Sequence, residues 1–430
     1  MPTLELDLDA TRSTDVSVQD AEPTTILPPV RIVFVTTIAD TQWHFLRGQN
    51  QFLTSRSFEI HAIASPSPTL ERLALRDGVR VHSVPLSRSI SPLRDIRAVW
   101  RLWRLLRRIQ PHIVHVSTPK AALVGSIAAS LARVPVRLLL LRGLALEGAT
   151  GVRRTLLRSA DRIAARLCHR VLCVSPSLLT TARKERIVAD SQARVPASGM
   201  SNGVDAAGFD PRAVRSAELS GSADHVADRR GLVLGFVGRL ARDKGLDVIA
   251  ASFALVRQEF PDARLLLVGG WDDANPPPSA LRAQLESNPR VQITGQVADP
   301  APYLKAMSVF VFASRREGFP NAPMEAAAME LPVVATHATG TVDAVSDGIT
   351  GALVPPGDAG RMAAAVCRYL RSAELRRRHG RAGRQRVIRE FQPERIWQAM
   401  LTEYVSLLGE RGILVPNGLP NARIDLRRSA

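Results

Sequence analysis

Two glutamates, Glu317 and Glu325, bracket the turn Gly318-Phe319-Pro320-Asn321-Ala322-Pro323-Met324. An ionised carboxylate only accepts hydrogen bonds, so Glu325 suits a vicinal diol such as a ribose, and Glu317 can face the same cleft. Gly318 and Pro320 allow a sharp turn. A helix is expected from Met324 to Glu330, with Asn321 or Ala322 as its cap and Pro323 tolerated in its first turn. The positive end of that helix would attract phosphate, and its dipole would favour the ionised form of Glu325. Earlier in the chain, Gly238-Arg239-Leu240-Ala241-Arg242-Asp243-Lys244-Gly245 sets a planar guanidinium and a compact ammonium on the two sides of a glycine-framed loop. Arg239 and Lys244 are thus spaced to converge on one diphosphate. The loop lacks the Gly-Lys-Ser/Thr ending of a P-loop. Taken singly, each of these groups is equally a solvated loop or cap residue; chemistry requires that the fold bring them together.

Short apolar runs typical of buried parallel strands recur over 31–36, 58–63, 79–84, 112–116, 136–141 and 170–174. Helical patterns lie between them, over 93–108, from Ser117-Thr118-Pro119-Lys120 to Leu131, and over 151–170. The alternation breaks at Ser201-Asn202-Gly203-Val204-Asp205 and restarts with a strand over 232–237 and a helix over 246–260. Strands over 264–268, 291–293, 308–313 and 331–335 follow, then helices over 358–370, 373–390 and 395–408. This pattern predicts an α/β chain with two doubly wound parallel sheets, whose ligand crevices open at the carboxyl ends of the strands. The expected organisation is a disordered tail over 1–29, a first domain over 30–210, a linker over 211–230 and a second domain over 231–390. A closing helix over 391–410 and a tail over 411–430 complete it.

Lys and Arg number 57 against 40 Asp and Glu, a net charge of +17, which points to anionic partners: nucleic acid, phosphorylated substrates or an acidic membrane surface. An arginine-rich GC-biased genome would give the same balance without function. Aromatic residues make up 5% and do not interleave with the basic runs, which argues against a stacking platform for single strands. Cys168, Cys173 and Cys367 form no disulfide framework and suit a reducing compartment. No apolar run reaches about 18 residues, and the acidic, polar start is the opposite of a signal peptide, so a cytoplasmic location is expected. The helices at 93–108 and 151–170 each carry six arginines beside an apolar stripe. Such a stripe is either core-facing with a solvated rim or a surface for anionic lipid.

Gly238-Arg239 with Lys244-Gly245, followed by Glu317 and Glu325 in an E-x7-E arrangement, resembles the family 4 glycosyltransferases of GT-B fold. Ser117-Thr118-Pro119-Lys120, Arg142-Gly143-Leu144, Ser201–Asp205 and Gly340-Thr341-Val342-Asp343 extend the resemblance over about residues 31–410. It is nearest to bacterial capsule, exopolysaccharide and O-antigen enzymes. The resemblance implies two Rossmann-like domains facing across a cleft, with the closing helix crossing back to the first. It implies that Arg239 and Lys244 bind the diphosphate of a nucleotide-sugar donor, with UDP the expected nucleotide. Glu325 would then bind the ribose and Glu317 the sugar. The segment Gly318, Phe319, Pro320, Asn321, Ala322 would help to hold phosphate and sugar. It further implies retention of anomeric configuration by front-face displacement, no cofactor and no metal, and a lipid-linked saccharide acceptor in the first domain at the inner face of the cytoplasmic membrane. Arg142-Gly143 stands where many relatives have His-Gly; arginine cannot serve as a base but can hold phosphate or an acidic sugar group. His44 and His115 are cleft candidates by position and equally structural histidines. The rival readings are a hydrolysing nucleotide-sugar epimerase, a basic nucleic-acid-binding protein and a non-catalytic sugar-binding partner.

Overall fold

The apolar runs become the strands of two parallel sheets in the computed structural model, which describes residues 28–87, 91–214 and 232–415. Nearly all of the expected N-terminal tail, most of the 211–230 linker and most of the 411–430 tail lie outside the described residues.

The first unit runs β1 (Val30–Val35), α1 (Ala39–Phe45), α2 (Gln49–Thr54), β2 (Phe58–Ala64), α3 (Pro68–Asp77), β3 (Arg80–Ser83) and α4 (Pro92–Ile109). It continues β4 (Ile113–Ser117), α5 (Pro119–Leu131), β5 (Val136–Leu141), α6 (Gly151–Leu167), β6 (Arg170–Cys173), α7 (Pro176–Lys184) and β7 (Ala193–Arg194). Its strands lie in the order β3-β2-β1-β4-β5-β6-β7, all parallel. The central strands are buried on both faces because helices cover both sides, which is why they are near-continuous Val, Ile and Leu rather than alternating.

The second unit runs β8 (Val233–Val237), α8 (Leu246–Glu259), β9 (Arg264–Val268), α9 (Ser279–Ser287), β10 (Val291–Ile293), α10 (Ala301–Lys305) and β11 (Val309–Phe312). Then come α11 (Asn321–Ala328), β12 (Val333–Thr336), α12 (Thr341–Ala344), β13 (Gly351–Val354), α13 (Ala359–Arg371), α14 (Ala373–Glu390) and α15 (Pro393–Gly409). Its strand order is β10-β9-β8-β11-β12-β13, again all parallel. Strand β13 is not expected from the sequence: it begins on a glycine and is only half buried, and it forms by pairing along β12. The strand order reverses between β8 and β11, so the loops leaving their carboxyl ends lie side by side. Those two loops are the ones that carry Arg239 with Lys244 and Glu317 with Gly318.

Helix α15 returns to the first unit. The Tyr404 hydroxyl is 2.7 Å from His115 Nδ1, and Arg170 pairs with Glu403 and Glu410. The two crossing segments are joined where the Val204 N–H donates to the Phe391 carbonyl at 2.8 Å. The sheets therefore face one another with their carboxyl ends together.

Candidate active site

A cleft cavity lies where the two sheets meet. Arg142, Gly143 and Glu147 line it from the first unit, and Arg239, Lys244, Glu317 and Gly318 from the second. Local geometry brings the second unit's two loops into register. Gly245 has φ +69°, and a Cβ there would lie 2.2 Å from the Ala313 carbonyl, so only glycine lets the β8 loop come this close to the end of β11. The Arg315 N–H donates to the Asp243 carbonyl at 3.0 Å and ties the loops together. In consequence Lys244 Nζ donates to Glu317 Oε1 at 2.5 Å, and Ser314 Oγ donates to the same oxygen at 2.7 Å. Both side chains of this pair are mostly buried, so the ammonium is held rigidly at the cavity wall. Arg239 is more exposed and pairs with Asp272, a partner the sequence did not single out.

The glutamate turn differs from expectation at its helix. Helix α11 begins at Asn321, and its cap is Pro320 in an extended conformation with no side-chain hydrogen bond. Neither Asn321 nor Ala322 is the cap, because the proline ring already holds Pro320 near the backbone angle a cap residue needs. Asn321 Oδ1 is buried and has no partner. The earlier start moves Glu325 into the second turn, beyond the reach of the terminal dipole. Burial, with the Asp299 charge in support, pushes the Glu325 carboxyl up to about 7, the reverse of the dipole expectation. Glu325 is half buried and is not among the residues lining the cavity. Phe319 is buried with its ring 5.3 Å from Phe391, which anchors the turn to the end of α14.

Arg142 enters from the end of β5. Its guanidinium lies 4.7 Å over the Phe45 ring, and its Nε and Nη1 are buried without an acceptor. Burial lowers its pKa to about 10, so it remains a cation and has unfilled donors at the cavity. His115 does not reach the site: burial and the Arg142 charge push it down to about 3, and it serves as the neutral partner of Tyr404. His44 is exposed in the last turn of α1.

The units are latched across the cleft. Ser175 Oγ donates to the Gly318 carbonyl at 2.7 Å, the Gly340 N–H donates to Ser177 Oγ at 2.7 Å, and Ser177 Oγ bonds Asp343. Glu147, Asp243 and Arg316 also line the cavity and were not picked out from sequence. Glu147 carried one available signal, a carboxylate in a loop just past the carboxyl end of a predicted strand.

Comparison with known proteins follows the same lines. Residues 47–199 match the family described as "Glycosyl transferase 4-like domain", and residues 231–372 match "Glycosyl transferases group 1". The chain is 30% identical over 365 residues to the capsular polysaccharide biosynthesis glycosyltransferase CapM of Staphylococcus aureus, covering 85% of this chain and 94% of that one. It is 28% identical to the UDP-Gal:alpha-D-GlcNAc-diphosphoundecaprenol alpha-1,3-galactosyltransferase of Escherichia coli, over 72% of this chain and 79% of that one. It is 30% identical to the GDP-mannose-dependent alpha-mannosyltransferase of Mycobacterium tuberculosis, over 84% and 91%. Among solved structures, Anabaena Alr3699/HepE in complex with UDP and glucose superposes with a TM-score of 0.72 at 19% identity, covering 88% of this chain and 99% of that one.

Proposed function

The chain belongs to the family 4 glycosyltransferases, enzymes of GT-B fold, and from that membership we propose that it transfers a sugar from a UDP-linked donor to a lipid-linked saccharide with retention of configuration and without a metal. One observation carries this reading: Lys244 and Arg142, from opposite units, line one cleft cavity, the first ordered by Glu317 and the second with buried donors unfilled. As the bond from C1 to the diphosphate breaks, negative charge grows on the departing oxygen. Fixed cations stabilise that charge more in the transition state than in the ground state. The new C1–O bond forms on the same face, and the acceptor proton passes to the leaving phosphate. Glu317 contacts the sugar, Arg239 shares the diphosphate with Lys244, the amides at the start of α11 assist, and Glu325 holds the ribose diol.

Thermal shift and slow hydrolysis across UDP-, GDP- and dTDP-sugars test this directly; a wild-type protein that binds none of them overturns it. Relatives that use UDP and GDP donors make the base an open outcome of the same panel. The panel carries a pH prediction as well. Below about 7 Glu325 is neutral and loses acceptor capacity toward the diol, so nucleotide affinity should weaken as pH falls from 8 to 6. Glu325→Gln should bind more weakly and show a flatter profile; an unchanged slope would remove Glu325 from the ribose site.

The acceptor side supports docking at an anionic membrane. Helix α4 buries Ala98, Leu102 and Leu106 against the sheet, so its core-facing stripe is accounted for. A second stripe stands in solvent: Leu93 is 81% exposed, Ile96 67% and Trp100 52%, with arginines on either side. Helix α6 repeats this with exposed Val152, Leu156 and Ile163. Among the described residues no helix is long and apolar enough to cross a membrane. We place the enzyme on the inner face of the cytoplasmic membrane. Co-sedimentation should show binding to phosphatidylglycerol vesicles that falls at least about tenfold in a Leu93→Glu, Trp100→Glu double variant and with added salt. Equal binding by the variant would return these helices to an ordinary solvated role.

A further inference from the structure

Glu147 stands in the cavity on the first unit's side, and the scheme above gives it no role. It sits on the short 3-10 turn Ala145–Gly148 that follows β5. Its Oε1 accepts a hydrogen bond from Thr339 Oγ1 at 2.6 Å, and Thr339 belongs to the second unit. The carboxylate is therefore oriented only when the two units meet. Its Oε2 is buried and has no partner. Arg316 lies along the backbone beside it, with Nε 3.1 Å from where a Gly148 Cβ would be, yet does not fill Oε2. Burial pushes the Glu147 carboxyl above its usual range, against the Thr339 hydrogen bond and the charges of Arg316 and Arg154. A desolvated acceptor without a donor is unfavourable until one arrives.

The same cavity holds Lys244 and Glu317. A nucleotide sugar whose diphosphate lies on Lys244 must turn its ring toward the remaining walls, and the Glu147 carboxylate on that side keeps one buried oxygen, Oε2, without a donor. We propose that Glu147 Oε2 accepts a hydrogen bond from a ring hydroxyl of the donor sugar. The first unit then contributes to donor-sugar recognition, and that recognition is complete only in the closed state. The ligand class is a nucleoside-diphosphate hexose with a free hydroxyl on the face turned to β5. This inference rests on the donor reading above.

The test separates the sugar from its nucleotide. Calorimetric titration would use the nucleotide sugar that wild type binds in the panel and the matching free nucleoside diphosphate. Glu147→Gln replaces one acceptor oxygen with a donor, and Glu147→Ala removes both; each should weaken the nucleotide sugar about tenfold or more and leave the free diphosphate unchanged. Thr339→Val leaves Oε2 in place and should have the smaller effect on the sugar. Wild-type affinity in both Glu147 variants would overturn the proposal. So would a loss shared equally by the free diphosphate, or a larger loss in Thr339→Val, either of which would make Glu147 a latch between the units. Failure of wild type to bind any nucleotide or nucleotide sugar would strike the donor reading itself.

Discussion

Lys244→Ala is expected to slow transfer about 10²- to 10³-fold with only a modest loss of nucleotide affinity, as removal of a preorganised donor to a developing oxyanion does elsewhere. The ammonium sits beside Glu317 on a loop pinned by Gly245, so it needs no reorganisation when charge appears on the leaving group. Removing it has a second effect. Glu317, whose side chain is 15% exposed, loses its cation and keeps only the Ser314 hydrogen bond to Oε1. A mostly buried carboxylate left unpaired is costly and repels an incoming diphosphate. The double variant Lys244→Ala, Glu317→Gln removes that repulsion. Comparing kcat and nucleotide Kd for the single and double variants divides the loss between missing stabilisation and added repulsion. A single variant that turns over at the wild-type rate would take Lys244 out of the chemistry.

Gly318→Ala is expected to lower kcat/KM by at least about 10²-fold and to lower the melting temperature as well. A Cβ at this position would stand 2.0 Å from the Arg142 carbonyl of the opposite unit and 3.0 Å from Val174 Cγ2. The first of these is backbone and cannot swing aside. The methyl is accommodated only if the units part, which breaks the Ser175 to Gly318 hydrogen bond and draws Arg142 and Glu147 away from Lys244 and Glu317. A displacement of about 1 Å between reacting groups is enough for a loss of this size. The first unit's apolar cluster reaches across this contact to Phe319, Met324, Ala327 and Ala344 of the second unit, so parting the units also loosens that packing. Small-angle scattering on the variant with bound nucleotide should show a larger radius than wild type. Full activity, or an unchanged radius beside lost activity, would count against closure as the cause.

Much of this protein was legible before any coordinates. The apolar runs at 136–141, 264–268 and 291–293 became strands over those same residues, and the helix over 373–390 did likewise. Short buried strands are dense in Val, Ile and Leu, and that local signal survives folding. The short elements α1, α2 and β13 were not legible, β13 being held by its pairing with β12 more than by its own pattern. Capping at α11 was misjudged because asparagine is the commoner cap, while here Pro320 supplies the extended residue.

Residue order alone determined two things: which loops carry cations, carboxylates and glycines, and that these loops follow parallel strands, because both depend on near neighbours along the chain. Tertiary structure decided what those groups face. Lys244 meets Glu317 because β8 and β11 are adjacent at the point where strand order reverses. Glu325 is driven toward neutrality by partial burial and the Asp299 charge, which no helix position could reveal. Arg142 and Glu147 come to face Lys244 and Glu317 only because the two units meet there. Desolvation and through-space pairing arise from segments far apart in sequence, so they exist only once the two sheets have met.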